Sequence, residues 1–261
     1  MPRMPAPVRG LTVPAHVLVT GASSGIGLAL ACALLERAGV ASVAAVSRHA
    51  SGSAELQALA ARHPGRLHAI DADLATDTGI AMVASALRAR DTGLHLVLHC
   101  AGLLHAEGMA PEKSLQQVER AALERVFALN AFAPILLARA LQPMLGPGAP
   151  RVFASLSARV GSIGDNRLGG WYAYRAAKAA QNQLLRTLAI EWRRSHPHLA
   201  CVLLHPGTVD TPLSRPFQAR VPAEALFPPS RAARQLLELV ASLGPADSGR
   251  FLAWDGRDIP W

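Results

Sequence analysis

Residues 20–27 read Thr-Gly-Ala-Ser-Ser-Gly-Ile-Gly, and this stretch decides the fold. It follows a short apolar run, His16–Thr20, and opens a helical pattern over Gly25–Ala38. Glycines at such a junction let the backbone turn tightly and approach a ligand, while the free N–H groups at the helix start attract a pyrophosphate. The stretch therefore predicts the strand, turn and helix that open a dinucleotide-binding domain.

Short apolar runs alternate with helical patterns along the rest of the chain, as expected of repeated β-α units. Strands are predicted at 16–20, 42–47, 66–71, 94–100, 151–155, 200–205 and 250–253. Helices are predicted at 25–38, 53–63, 76–90, 115–145 with a break near Asn130 and Pro134, 171–194 and 230–243. We expect one α/β domain of the Rossmann type, a doubly wound parallel sheet of about seven strands with helices on both faces.

Length and composition agree with a single domain. The chain has 261 residues, of which 51% are hydrophobic and 17% charged, and this balance favours a compact globule over disorder. We expect residues 1–15 to form a flexible N-terminal arm and residues 16–261 the domain. Six prolines lie within residues 206–230 and predict an irregular lid over the substrate.

Charge and cysteine usage argue against several classes of partner. The net charge is +8, but the arginines are scattered and no basic run exceeds two residues, so we expect no nucleic-acid partner. No apolar run approaches the roughly 20 residues that cross a bilayer, and we expect no membrane association. Cys32, Cys100 and Cys201 are widely spaced and suit buried thiols in a reducing cytoplasm better than disulfides or a metal site.

Tyr174 and Lys178 are the candidate proton-transfer pair. They are four residues apart on the predicted helix 171–194, so their side chains share one face. A cation held there can lower the pKa of a phenol from about 10 toward neutrality. Lys113 and Lys178 are the only two lysines among 26 basic residues, so a lysine at 178 departs from the chain's preference for arginine. Its ammonium is a compact donor with a tunable charge, unlike a guanidinium.

Together with the glycine-rich turn, this pair resembles the short-chain dehydrogenase/reductase family over nearly the whole chain. The ending Trp-Asp-Gly-Arg-Asp-Ile-Pro-Trp and the segment around Tyr174 are similar to the C-factor group and its sniffer-like carbonyl reductase relatives. The family's Thr-Gly-x-x-x-Gly-x-Gly motif implies cofactor contacts at Gly21, Ser23, Ser24, Gly25, Ile26 and Gly27. Its other motifs imply contacts at Asp73, Leu74, Ala101, Gly102, Pro206, Gly207, Val209 and Thr211, besides Tyr174 and Lys178.

The resemblance implies hydride transfer between a nicotinamide cofactor and a small carbonyl or alcohol substrate. Ser157 would bond the substrate oxygen, and Tyr174 would transfer the proton. Lys178 would lower the pKa of the phenol and hold the cofactor ribose, and Asn130 would bind a water that links Lys178 to solvent. The catalytic serine stays open between Ser155, Ser157 and Ser162. Ser157 lies 17 residues before Tyr174, whereas many family members have a spacing of thirteen, which falls here on Gly161.

A departure from the family pattern lies after the fourth strand. His99 and Cys100 replace both asparagines of the family's Asn-Asn-Ala-Gly motif, so the hydrogen bonds of those amides must be made otherwise or lost. We expect His99 to be a core histidine and Cys100 a buried thiol.

The residues at the end of the second strand indicate which cofactor the protein prefers. No acidic residue stands in Val-Ser-Arg-His, residues 46–49, to bond a ribose 2′-hydroxyl, and Arg48 offers a cation to a 2′-phosphate. NADP(H) is therefore favoured, with NAD(H) as the alternative.

These residues predict an NADPH-dependent carbonyl reductase. The alternative is a cofactor-binding signalling or regulatory protein of the C-factor type with little or no turnover. We expect apolar walls for the substrate at Trp171, Leu213, Phe217 and Phe227. The helices at 115–145 and 171–194 are rich in Ala and Leu, and the resemblance implies a homodimer or homotetramer formed through them.

Overall fold

Parallel strands form the centre of the computed structural model, which describes residues 6–261. The strands are β1 (Ala15–Thr20), β2 (Val40–Ser47), β3 (Leu67–Asp71), β4 (Leu96–His99), β5 (Arg151–Leu156), β6 (Leu199–His205), β7 (Thr208–Val209), β8 (Leu226–Phe227) and β9 (Phe251–Ala253). Seven of them form one sheet in the order β3-β2-β1-β4-β5-β6-β9, and β7 pairs with β8 separately. The strand order reverses between β1 and β4, and this switch point is where ligands bind in open α/β sheets.

Helices cover both faces of this sheet. They are α1 (Gly25–Leu35), α2 (Ala54–Arg62), α3 (Asp77–Arg88), α4 (Arg120–Phe127), α5 (Ala133–Leu141), α6 (Tyr172–Ser195) and α7 (Pro229–Ser242). Side chains of α1, α2 and α7 share one apolar cluster with the sheet, and those of α3, α5 and α6 share another. The predicted doubly wound α/β fold is confirmed, with its seven strands.

The strands read as continuous apolar runs because both of their faces are buried. In β1, Val17 and Val19 pack into the cluster with α1, while Leu18 between them packs into the cluster with α6. The pairing of β1 with β4, in which Thr20 lies opposite His99, places the carboxyl ends of these two strands side by side.

The predicted arm, residues 1–15, differs from the structure where the two can be compared. Residues 1–5 lie outside the described residues. Val8 and Leu11 are 1% and 8% exposed and belong to the cluster that contains α1 and α7. Residues 7–11 therefore belong to the packed domain, because burying these apolar side chains offsets the entropy lost on ordering the backbone.

The long helical region predicted at 115–145 is divided where the break was expected. A π-helical turn, Ala128–Phe132, separates α4 from α5, and Pro134 stands in the first turn of α5. The run Arg120–Met144 is long and apolar enough, by length and composition alone, to cross a membrane, in contrast to the expectation that no run approaches this length. Within this run, Leu137 and Leu141 of α5 are fully buried against the sheet.

Candidate active site

A cleft of about 530 Å³ opens at the carboxyl ends of the central strands. Its walls come from the segments that follow β1 to β6 and from the start of α6. Among the predicted site residues, the cleft is lined by Gly21, Ser23, Ser24, Gly25, Ile26, Gly27, Arg48, Asp73, Leu74, Ala101, Gly102, Ser157, Tyr174, Lys178, Pro206 and Thr211. The fold thus brings most of the predicted positions into one cavity at the switch point.

The turn between β1 and α1 requires its glycines. Gly21 and Gly25 have φ angles of 64° and 53°, in the left-handed region that favours glycine. A Cβ on Gly27 would lie 2.2 Å from the carbonyl oxygen of Gly21, which leaves no room for any side chain.

The first turn of α1 keeps its amides available. Its N-cap, Ser24, makes no side-chain capping bond, and the turn contains no acidic residue. In contrast, Ser53 and Thr76 cap α2 and α3 with their own side chains. The amides of α1 and the positive end of its dipole therefore suit a pyrophosphate, and this end of the cleft fits a dinucleotide.

The adenosine end of the cleft is bordered by β2 and β3. Arg48 is exposed at the rim, and the neighbouring Ser47 has a buried hydroxyl with no hydrogen-bond partner among residues 6–261. Asp71, opposite Ser47 in the β2–β3 register, accepts from the Ser51 hydroxyl and from Ser51 N at 2.8 Å. These bonds, that of the hydroxyl first, hold the pKa of Asp71 low. Ser47 and Arg48 thus line this end of the cleft, and the carboxylate aligned with Ser47 is bonded to Ser51.

Tyr174 and Lys178 lie in the first two turns of α6 and are 8% and 3% exposed. Lys178 Nζ lies 5.7 Å from the centroid of the Tyr174 ring and donates to Leu156 O at 2.8 Å and Gln181 Oε1 at 2.9 Å. Burial lowers the pKa of Lys178 to about 7 and raises the pKa of Tyr174. The expected lowering of the phenol pKa is therefore not produced by this arrangement, because the ammonium bonds to other acceptors and burial dominates.

The structure separates the three candidate serines. Ser157 lines the cleft, and its hydroxyl donates to Asn182 Oδ1 at 2.6 Å. Ser155 is fully buried in β5 and accepts from Gln181 Nε2 at 2.7 Å. Ser162 is buried away from the cleft and accepts from the backbone N–H of Asp165 at 3.1 Å. Of the three, Ser157 is the one that can reach a ligand in the cleft.

Asn130 lies in the π-helical turn with 1% exposure and does not line the cleft. Its amide donates to Leu103 O at 2.7 Å and to Val126 O at 3.0 Å, and its Oδ1 accepts from Leu103 N at 3.1 Å. Both amide hydrogens are used, so the side chain holds the loop after β4 against the π-helical turn. The expected binding of a water by Asn130 stays a prediction, since these bonds engage its side chain alone.

Thr20 bonds the segment in which His99 and Cys100 stand. Its Oγ1 accepts from the N–H groups of Cys100 and Ala101 at 3.1 and 3.2 Å, and contacts His99 Nδ1 at 3.1 Å. Burial lowers the pKa of His99 to about 3, so the imidazole is neutral, and burial raises the pKa of the Cys100 thiol to about 12. His99 is buried as expected, whereas Cys100 is half-buried and lines the cleft, in contrast to the expected buried thiol. Neither residue supplies a charged group.

The segment after β6 contributes only part of its predicted residues. Pro206 and Thr211 line the cleft, whereas Gly207 and Val209 do not. Val209 is buried with Phe227 in a separate cluster, and Phe227 packs edge-on against Trp254 with ring centroids 5.0 Å apart. Phe227 is therefore not the substrate wall that was expected.

Of the other three expected apolar walls, one lines the cleft. Leu213 lines the cleft. The ring centroids of Trp171 and Phe217 are 5.0 Å apart, and the Trp171 ring lies 6.3 Å from that of Tyr174. Trp171 and Phe217 therefore form an aromatic cluster beside Tyr174, but they do not themselves line the cleft.

Three buried polar residues near the site were not predicted from the sequence. Gln181 and Asn182 follow Lys178 by three and four residues on α6, and they bond Lys178 and Ser157 respectively. Helical spacing alone could have placed them on the same face. The carboxylate of Glu112 accepts from Ala173 N at 3.2 Å at the start of α6, and no local pattern indicates this contact.

The fold and cleft define a dinucleotide-binding α/β oxidoreductase domain. Residues 15–221 match the family model described as short chain dehydrogenase. The chain belongs to this family.

Relatives and solved structures agree with this assignment. The C-signal protein of Myxococcus xanthus is 36% identical over 148 residues, which cover 57% of this chain and 84% of that protein. The NADPH-bound carbonyl reductase from chicken fatty liver superposes with a TM-score of 0.83 at 29% identity, covering 96% of this chain and 100% of that one. The carbonyl reductase Sniffer of D. melanogaster gives a TM-score of 0.82 at 25% identity, covering 95% and 100%.

Proposed function

We propose that this protein is an NADPH-dependent carbonyl reductase. The observation that carries the proposal is one cleft in which an uncapped helix start, the Arg48 cation and the Ser157, Tyr174 and Lys178 side chains lie along the same walls. The similarity to an NADPH-bound carbonyl reductase over the whole length supports the same activity.

A bound nicotinamide cofactor supplies the hydride. Ser157 lines the cleft beside Tyr174, and its hydroxyl must turn from Asn182 to donate to the substrate oxygen and stabilise the charge that develops there. Tyr174, protonated because burial raises its pKa, donates the proton to that oxygen. Lys178 has a third N–H beyond its two bonds to Leu156 and Gln181, and this N–H is available to the cofactor ribose or the phenol.

Asn130 acts in this proposal as a positioning residue. A Cβ added to Gly102 would lie 3.1 Å from Asn130 Oδ1 and 4.0 Å from Lys178 Nζ. The loop that Asn130 holds therefore forms the wall beside the ammonium. Exchange of Asn130 therefore acts on Lys178 through this loop.

The Tyr174→Phe variant tests the activity. It keeps the ring and removes the proton donor, so turnover of a carbonyl panel should fall roughly 100- to 10,000-fold, while NADPH affinity stays close to wild type. Tyr172→Phe, on the exposed side of the same turn, is the matched control and should keep its turnover. Unchanged turnover in Tyr174→Phe would end the proposed mechanism.

Arg48 and Ser47 carry the proposed preference for NADPH. Replacing Arg48 with Ala should weaken NADPH about tenfold or more and leave NADH nearly unchanged, since a charge-assisted bond to phosphate is lost. Ser47→Asp should shift the preference toward NADH by repelling the phosphate. Equal losses for both cofactors in Arg48→Ala would make Arg48 a general surface charge.

A signalling or regulatory role with little turnover is the second candidate, and the similarity to the C-signal protein favours it. The two functions differ in one measurement. A protein that only binds cofactor would show no NADPH oxidation across the carbonyl panel, with or without Tyr174.

We also propose a homodimer or homotetramer formed through α4, α5 and α6. Phe132, Tyr172 and Ile190 are 50%, 42% and 45% exposed on this face, which is more apolar surface than a solvated helix face needs. A monomer mass by light scattering at micromolar concentration would contradict this assembly.

The thiols of Cys32, Cys100 and Cys201 are all free, which suits a reducing cytoplasm.

A further inference from the structure

Gln181 connects the buried lysine to the central sheet. It is fully buried, and each polar atom of its side chain has a partner. Oε1 accepts from Lys178 Nζ at 2.9 Å, and Nε2 donates to Ser155 Oγ at 2.7 Å and to Leu156 O at 3.2 Å. Because Nε2 faces two acceptors, the amide has one orientation, with its carbonyl oxygen toward the ammonium.

The surroundings of Lys178 contain no anion that could replace this contact. Within residues 6–261, no carboxylate forms an ion pair with Lys178. The titratable groups that face it are Tyr174 from its own helix and His99 and Cys100 from the end of β4, and all three are neutral near pH 7. The ammonium is therefore stabilised by two neutral carbonyl oxygens, of Leu156 and Gln181.

The two oxygens differ in what a substitution can change. Leu156 O belongs to the backbone and stays in every variant, whereas the Gln181 oxygen belongs to a side chain and can be removed by substitution. We propose that Gln181 is a positioning residue whose side-chain oxygen holds the Lys178 ammonium and thereby sets the highest pH at which the proton-transfer pair operates. The link to catalysis rests on the proposed carbonyl reductase function, while the effect on Lys178 itself does not.

The direction of the effect follows from which form of Lys178 the oxygen bonds. A neutral acceptor favours the charged form, so its loss lowers the pKa of a buried lysine, and a carboxylate in its place raises that pKa. Gln181→Met keeps the length and volume of the side chain without the acceptor. Gln181→Glu supplies a carboxylate, to which the Ser155 hydroxyl can donate.

The chain allows Lys178 to be observed directly. It has only two lysines, so protein labelled with [ε-13C]lysine gives two signals, and exposed Lys113 is an internal reference. NMR titration should place the Lys178 midpoint about one pH unit lower in Gln181→Met than in wild type, and about one unit or more higher in Gln181→Glu. The Lys113 midpoint should not move.

Unchanged Lys178 midpoints in both variants would overturn the proposal and leave Gln181 as a packing residue. If Gln181→Met does not fold, Ser155→Ala is the second variant. It removes the anchor of the amide and should lower the Lys178 midpoint in the same direction by a smaller amount, whereas a midpoint equal to wild type in both Ser155→Ala and Gln181→Glu would again overturn the proposal.

Turnover connects the titration to catalysis. The alkaline limb of kcat/KM for carbonyl reduction should move down in Gln181→Met and up in Gln181→Glu, in parallel with the NMR midpoints. If the midpoints shift but no variant reduces carbonyls, the proposed function fails and the role of Gln181 toward Lys178 stands. If turnover is present and neither quantity shifts, the role of Gln181 fails and the function stands.

Discussion

The starts of α1 and α6 border the same cleft but are built in opposite ways. At α1, no side chain caps the helix and no acidic residue stands in the first turn. At α6, the buried carboxylate of Glu112 bonds the N–H of Ala173, and Trp171 precedes the helix at φ 51°. The first helix presents its backbone to a ligand, whereas the second has its backbone satisfied and presents side chains.

The difference between the two helix starts lies in whether the positive end of the helix dipole is left free or is bonded by a carboxylate. The positive end of a helix dipole attracts anions, so leaving it uncapped creates a phosphate site and neutralising it with a carboxylate removes one. At α6 a competing anion site beside Tyr174 and Lys178 would draw phosphate to the position where the substrate must bind. We expect the Glu112 carboxylate, which accepts from Ala173 N at the start of α6, to disfavour such a site.

The largest effect is expected from a side chain that keeps the backbone at the start of α1 from its close approach to neighbouring backbone. Gly27→Ala places a Cβ 2.2 Å from Gly21 O, so we expect the free energy of unfolding to fall by about 3 kcal/mol and NADPH affinity to drop about 100-fold or more. Urea denaturation and cofactor titration measure both. Gly146→Ala, where a Cβ meets no atom within 4 Å, is the control, and a stable Gly27→Ala protein with normal affinity would contradict the close approach.

Making α1 resemble α6 is the next test. Ser24→Asp adds a carboxylate at the N-cap and should stabilise the protein by about 0.5–1 kcal/mol while weakening NADPH about tenfold or more, because the new charge occupies the phosphate end. Ser24→Asn is the uncharged control and should change neither quantity appreciably. A rise in both stability and affinity would show that phosphate does not bind at this helix start.

Making α6 resemble α1 should have a smaller effect on NADPH affinity. Glu112→Gln keeps the shape of the side chain and removes its charge, so the free energy of unfolding should fall by about 1 kcal/mol and turnover should fall more than NADPH affinity. Chemical denaturation and steady-state kinetics separate these effects. The exposed Glu107→Gln is the control, and identical behaviour of the two variants would remove the special role of Glu112.

The smallest effect concerns His99, which bonds Thr20 just before the α1 turn. Its pKa is depressed by burial to about 3, so the unfolded chain binds its proton first and the native state loses stability as pH falls below about 6.5. One such group costs about 1 kcal/mol between pH 6.5 and 5.5. Between these pH values the unfolding free energy of His99→Asn should therefore fall by about that much less than that of wild type, as measured by urea denaturation. Parallel pH profiles would mean that His99 is not buried as a neutral side chain.

The sequence by itself predicted the seven-stranded sheet, the glycine-rich turn and the Tyr174–Lys178 pair. These features depend on local rules: apolar periodicity, the conformational freedom of glycine and the spacing of one helical turn. Each can be read within a few residues, so no long-range contact was needed to find them.

Only the tertiary structure decided which polar atoms meet. Ser157 reaches Asn182 across 25 residues, Glu112 reaches Ala173 across 61, and Gln181 joins Lys178 to Ser155 in the sheet. Such pairs form because burial demands that each polar atom find a partner, and the partner is chosen by how the helices pack on the sheet. The same packing engaged the Asn130 side chain with backbone groups and removed Phe227 from the cleft, which no local pattern could indicate.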